Sequence, residues 1–168
     1  YARHESLADK RVVIVGFGSI GRAIARRLAG FECEIVPVAR TAREVDGHHV
    51  HAMSELNDLL PGADVVLLIV PLTPETTHLV DARFLARMRD GALLVNVARG
   101  LVVDTDALLA ECGSGRLRAA LDVTDPEPLP TAHPLWRAPG VLISPHVGGN
   151  TSAFLTRARQ LVVAQLER

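Results

Sequence analysis

The chain has 168 residues, the length of one domain, enough to bury roughly 70% of the surface its unfolded form exposes. Its 48% hydrophobic and 22% charged residues with a net charge of −1 describe a soluble globule without the bias of a nucleic-acid or anionic-membrane binder, so any anion site must be local. Cys33 and Cys112 belong to no CxxC pair and cannot build a disulfide framework; the expected compartment is the reducing cytoplasm, with both thiols as inert core groups.

The opening "YARHESLADKR" has neither an apolar signal region nor an initiator methionine, so a preceding segment is expected. Runs rich in Val, Ile and Leu at 11–15, 34–38, 65–70, 92–96, 118–121 and 141–143 predict strands. Most are separated by stretches with helical spacing, which implies a parallel sheet wrapped on both faces. The run "VVLLIV" at 65–70 is followed by Pro71 and is far short of the ~20 residues of a membrane span, so it reads as a buried strand. In the first helix Ile20, Ala23, Ile24, Arg27 and Leu28 alternate an apolar stripe with an exposed face holding Arg22 and Arg26.

Further along, Ser54 is expected to cap a short helix running to Leu60, and Asp104 another running to about Cys112, closed by "GSG". His48, His49 and His51 share a polar segment, but ligands at that spacing without Cys or a distant partner do not make a zinc site; His78 and His133 read as loop or packing residues. Five prolines in "DPEPLPTAHPLWRAPG" rule out a regular helix and predict a stiff surface loop. The tail "TSAFLTRARQLVVAQLER" predicts one amphipathic helix, capped by Thr151 or Ser152, with Leu155, Leu161, Val162 and Leu166 available for packing.

"VVIVGFGSIGRAIARRL" sets Gly16, Gly18 and Gly21 directly between the first strand and the first helix. Gly16 permits the tight turn, Gly18 lets a pyrophosphate approach the backbone, and Gly21 allows helix and strand to pack closely. Amides near Ser19 and Ile20 then face the phosphates from a positive helix end. About 20 residues beyond such glycines an acidic side chain commonly binds the ribose hydroxyls of NAD. Here "VPVARTAR" offers Ala39 and Arg40. Without a carboxylate a 2′-phosphate can enter, Arg40 can grip it, and Thr41 or Arg43 can add a donor, so NADP is the preferred coenzyme and NAD a possible one. The alternative is that Arg40 and Arg43 are solvated loop charges with no say in the choice.

"VGFGSIG", "PLTPETTHLV", "NVARGLVVDTDAL", "ALDVTDPEPL" and "SPHVGG" together resemble the cofactor-binding domain of the D-isomer-specific 2-hydroxyacid dehydrogenases over residues 7–151. The fold implied is a Rossmann-type doubly wound parallel α/β sheet with helices on both faces, and the reaction is hydride exchange between nicotinamide and C2 of a small 2-oxo or 2-hydroxy acid, such as glyoxylate or hydroxypyruvate. By this resemblance Arg99 binds the substrate carboxylate and polarises the carbonyl, a task suited to a permanent cation with two parallel donors. His146 is the acid/base, and Glu127 orients it and favours its cation. Asp122 lies near the carboxamide, Pro71 and Thr76 belong to a loop along the coenzyme, Val97 and Ala98 line the ring side, and Gly148 and Gly149 let backbone come close. Thr124 stands where the family commonly has a phenylalanine, which implies a less bulky wall.

In this family the cofactor domain is inserted into a second domain that closes on the substrate. All 168 residues are accordingly expected to form the coenzyme-binding domain alone, holding coenzyme yet turning over poorly. The resemblance also implies a homodimer, with contacts between residues 97 and 109. The same fold serves corepressor-like proteins that sense nicotinamide state, which is the alternative function.

Overall fold

A computed structural model describes residues 5–167. The start of the N-terminal stretch discussed above, residues 1–4, and the last residue of the predicted tail helix, Arg168, lie outside the described residues. The strands are β1 (Arg11–Val15), β2 (Glu34–Ala39), β3 (Arg43–Val45), β4 (His48–Ala52), β5 (Val65–Leu68), β6 (Leu93–Asn96), β7 (Arg118–Leu121) and β8 (Val141–Ile143). They form one sheet in the order β3-β4-β2-β1-β5-β6-β7-β8, parallel throughout except for the β3–β4 pair. The doubly wound α/β architecture is therefore present, with an antiparallel strand at one edge.

The six predicted strands all form; the third of them, β5, ends at Leu68, where Ile69 keeps one bond to the Val15 carbonyl and the chain turns toward Pro71. The β3–β4 hairpin was not expected, because its histidines disguise a strand. Asp46 and Gly47 take φ of 52° and 75°, the left-handed pair that a two-residue hairpin turn requires, and Val50 is fully buried.

One face of the sheet carries α2 (Leu56–Leu59), α3 (Ala82–Arg87) and α4 (Thr105–Gly113) over a core that includes Leu60, Leu68, Leu85, Leu94 and Leu108. The other carries α1 (Ser19–Leu28) over Val12, Ile14, Phe17 and Val50. The buried line of α1 runs through Gly21 and Ala25, so the expected stripe is rotated and Ile20 is 59% exposed. Gly21 is the reason: a Cβ there would collide with the Gly16 carbonyl, so the helix seats its bare backbone against the turn.

Asp104 caps α4 as expected, accepting from the Ala107 amide at 3.0 Å, and Asp81 caps α3 in the same way. Ser54 does not cap. A 3₁₀ turn, Met53–Glu55, precedes α2, and the Glu55 carboxylate accepts from the Ala52 amide at 2.7 Å. The proline-rich segment contains a 3₁₀ turn, Pro134–Arg137, and no α-helix, so no helix covers the β7–β8 crossover. On the face of α1, Leu142 of β8 is 70% exposed.

The tail helix α5 (Phe154–Leu166) begins after Ala153 with no side-chain cap; Thr151 contributes only its carbonyl, to the Phe154 amide at 3.0 Å. No residue of α5 is buried, so the packing foreseen for Leu155, Leu161, Val162 and Leu166 is not made within the described residues.

Cys112 lies wholly inside, and burial, with a smaller effect of the Glu111 charge, pushes its thiol up to about 11. An unfolded thiol ionises near ~8.5, so this group's contribution to stability is complete below that pH and is lost as pH rises toward 11. At pH 8 a thiol reagent is expected to modify half-buried Cys33 first and Cys112 only as fast as the protein opens; equal native-state rates would contradict this burial.

Candidate active site

Chain reversal around β1 creates the crevice. From β1 the chain moves outward through β2 and β4, then returns to β5 on the other flank, so the turns after β1 and β5 diverge at the carboxyl edge of the sheet. Gly16 sits there with φ 108°, its amide donating to Val38 at 2.9 Å, and a Cβ on it would stand 2.6 Å from the Ile69 carbonyl oxygen. Gly18 differs: a Cβ would meet nothing within 4 Å, so no protein contact demands glycine there. It is also the N-cap of α1, with no side chain capping the helix, and the first-turn amides at Ser19 and Ile20 are left for an outside acceptor. A bare turn facing open space and an uncapped positive helix end fit a dinucleotide pyrophosphate.

At the end of β2, Arg40 and Thr41 are exposed beside half-buried Ala39. Arg43 is not a free loop charge: it donates to the Phe17 carbonyl at 3.0 Å and to the Thr41 carbonyl at 3.3 Å. Arg22 grips Asp46 through a two-pronged contact of 2.7 and 3.0 Å, which holds that carboxyl below the usual carboxylate range.

After β5, Pro71 opens a loop tied by Thr76, whose hydroxyl donates to the Pro71 carbonyl at 2.7 Å and accepts from the Thr73 amide at 2.8 Å. Thr76 thus frames this loop. After β6, Val97 is 38% exposed but Ala98 only 3%, which leaves Val97 as the side chain facing outward. Between them and the strand lies Asn96, a buried polar residue that pattern reading passed over. Its amide oxygen accepts from the Ala98 amide and its nitrogen donates to the Arg99 carbonyl, both at 3.0 Å, so it fixes the turn that presents Arg99. Arg99 is exposed and donates to the Ala98 carbonyl at 2.6 Å. Gly100 follows because a Cβ would collide with the Thr124 carbonyl, so this turn presses on the one after β7.

The remaining candidates follow β7 and β8. Nδ1 of His146 lies 2.6 Å from a Glu127 carboxylate oxygen, which places the ring proton on Nδ1 and leaves Nε2 as the atom able to exchange a proton. His146 has φ 54°, a left-handed conformation uncommon outside glycine. Asp122 anchors the same segment: its carboxylate accepts from the Ser144 hydroxyl at 2.6 Å and from the Val147 and Gly148 amides at 3.0 and 2.9 Å. The Ser144 hydroxyl foremost, then those amides, hold Asp122 below the usual carboxylate range. Ser144 was another residue missed from sequence, where the histidine and glycines of "SPHVGG" drew notice. A Cβ on Gly148 would stand 2.9 Å from the Asp122 carboxylate, whereas one on Gly149 would meet nothing within 4 Å. A hollow of about 130 Å³ lies between Asp122, Thr124, Glu127, Trp136 and His146.

β6, β7 and β8 are neighbours, so Arg99, Asp122 with Glu127, and His146 are delivered to one edge by adjacent strands. A larger cleft, about 250 Å³, includes Lys10, Asp64 and Arg89, and belongs to the opposite edge, where both cations are paired with Asp64. His49 and His51 each meet a glutamate, Glu44 at 2.6 Å and Glu55 at 3.1 Å. His133 accepts from the Leu135 amide and His78 sits in a loop, in keeping with structural roles.

Residues 1–148 match the family model described as D-isomer specific 2-hydroxyacid dehydrogenase, NAD binding domain. Glyoxylate/hydroxypyruvate reductase B of Citrobacter koseri is 43% identical over 151 residues, covering 84% of this chain and 45% of that protein. Glyoxylate reductase of Thermococcus gammatolerans is 39% identical over 159 residues, covering 94% of this chain and 47% of that one. The crystal structure of a D-isomer specific 2-hydroxyacid dehydrogenase from Xanthobacter autotrophicus, in complex with NADPH and MES, superposes with a TM-score of 0.81 at 40% identity, over 88% of this chain and 47% of that chain. The chain spans about half the length of the curated relatives it matches. Among the described residues no helix is long and apolar enough to cross a membrane.

Because the folded pKa of Asp122 is depressed, its contribution to stability is present above the ordinary aspartate value, ~3.9, and lost as pH falls through the lower folded value. Asp122→Asn is expected to destabilise by about 1–3 kcal/mol at pH 7 and to flatten the acid limb. Urea unfolding at pH 7 and pH 3 reads both effects, and an unchanged acid limb would contradict them.

Proposed function

On the premise that this chain belongs to the D-isomer specific 2-hydroxyacid dehydrogenases as their NAD-binding domain, we propose that it forms the coenzyme-side wall of an oxidoreductase acting on the CH–OH group. Its substrates are small 2-oxo or 2-hydroxy acids such as glyoxylate or hydroxypyruvate, in keeping with the named relatives. The observation that carries this reading is the 2.6 Å His146–Glu127 pair on the same sheet edge as the exposed guanidinium of Arg99.

The coenzyme supplies or receives the hydride at C2. Gly18 and the amides of Ser19 and Ile20 would hold its pyrophosphate on the turn that Gly16 and Gly21 shape; Val97 and the backbone of Ala98 would line its ring side, and Pro71, Thr76, Gly148 and Gly149 would border it. In reduction, Arg99 fixes the substrate carboxylate and draws electron density from the carbonyl, and Nε2 of His146 delivers a proton as negative charge grows on the oxygen. Glu127 orients the ring, while Asp122 keeps the bearing loop in place and borders the carboxamide site.

For the coenzyme itself the family match establishes NAD-type binding, and we propose NADP over NAD. Supporting this, Ala39 offers no carboxylate, Arg40 and Thr41 follow the end of β2, and Arg43 opens β3. Residues 1–168 act as the coenzyme domain, with a second domain supplying the other wall of the cleft, so that this domain alone binds coenzyme and turns over poorly. A homodimer through residues 97–109 and a cytoplasmic location complete the proposal. The named relatives are reductases, and nothing in the site favours the sensing alternative.

The test is NADPH oxidation by the full-length protein with a panel of 2-oxo acids. His146→Gln is expected to lower kcat about 10²–10⁴-fold with little effect on coenzyme affinity. Turnover by none of the acids would discard the activity. Arg40→Ala should weaken NADPH about tenfold or more and NADH less than about twofold; equal losses would remove the argument for NADP.

A further inference from the structure

The β3–β4 hairpin stands against the place where the 2′ substituent of the coenzyme would be read, joined to the sheet at its open end and to the core through Val50. Only two register positions join β4 to β2, Val38 with His51 and Ala39 with Ala52, both at the hairpin's open end. Arg43 opposes Val50 at that open end, while the turn at Asp46 and Gly47 projects the other way, alongside α1. Side chains pin that far end. Asp46 receives Nε and Nη2 of Arg22 at 2.7 and 3.0 Å, with Arg26 3.9 Å away, and His48 packs edge-on against Phe17 with ring centroids 5.7 Å apart.

The position of the hairpin fixes that of Arg43. Its guanidinium bridges the Phe17 carbonyl of the glycine turn and the Thr41 carbonyl beyond β2, across the gap between the two segments that would flank the adenosine ribose. A guanidinium carries five N–H groups, so two such bonds leave donors for a further acceptor. Arg40, just after β2, is exposed and makes no ion pair among the described residues. Asp46 meanwhile occupies Arg22, the cation of α1 nearest the helix start.

We propose that Asp46 is a positioning residue for coenzyme discrimination: its grip on Arg22 holds the hairpin so that Arg43 joins Arg40 as a second ligand of the 2′-phosphate. This rests on the NADP reading above and extends it to residues that touch no phosphate themselves. An exposed ion pair has a small energy, so the effect is modest. Asp46→Ala should raise the Kd for NADPH about fivefold and that for NADH less than about twofold, whereas Arg43→Ala should cost NADPH about tenfold.

The experiment measures both dissociation constants by coenzyme fluorescence in the full-length protein for D46A, the isosteric D46N, R43A, R40A and the swapped pair R22D/D46R, with the unfolding midpoint of each. Selective loss in D46A and D46N, with recovery in the swapped pair, is the expected result. An unchanged ratio of the two constants in D46A and D46N, or tighter NADPH because a released Arg22 is the better ligand, would overturn the proposal. So would a ratio that moves only with the unfolding midpoint and is not restored by the swap. R40A separates the two layers: if it too leaves the ratio unchanged, the NADP preference itself fails, and if it alone is selective, only the role of Asp46 fails.

Discussion

Close approach of β1 and α1 through two glycines is the constraint on which the rest of the structure depends. Gly16 has its α-carbon against the Ile69 carbonyl, and Gly21 seats its own against the Gly16 carbonyl. A side chain at Gly21 would force the helix off the turn, and one at Gly16 would force the turn off the segment after β5. That contact aims the start of α1 across the carboxyl edge, rotates Ile20 outward and leaves Gly18 facing open space. A dinucleotide laid there runs along the edge where β2 and β5 to β8 also end.

Around this cradle, polar anchors fix the candidate side chains, with Asn96 the buried one among them. Asn96 ties both the Ala98 amide and the Arg99 carbonyl, Asp122 gathers a hydroxyl and two amides, and Glu127 takes the ring of His146. Asn96 ends β6, Asp122 and Glu127 follow β7, and Gly100 presses the first of these turns onto the second. Such a site is carried on rigid strand ends, and its precision comes from backbone hydrogen bonds satisfied by side chains rather than from its loops alone.

Much of this was legible in sequence. Six apolar runs gave six strands because a parallel strand buried on both faces leaves a nearly continuous signal, and Asp104 announced α4 because capping chemistry is local. The glycine spacing and the separated motifs of the site were equally readable. The β3–β4 hairpin was not: its turn signal, Asp46–Gly47, is plain in hindsight, but three histidines around one buried Val50 mask the alternation. Ser54 was a plausible cap displaced by the stronger carboxylate of Glu55. Asn96, Ser144 and the buried state of Ala98 depend on contacts between successive strand ends, which periodicity within one segment does not record.

The left-handed backbone at His146 restricts which residues this position can accept over evolutionary time. Asparagine or glycine enters that region at little expense, but neither provides an imidazole, and a valine or isoleucine would meet steric conflict before any question of chemistry arose. Neutral drift away from histidine therefore has few routes that preserve the loop. A homologue with another residue here should carry a small or amide side chain rather than a bulky one.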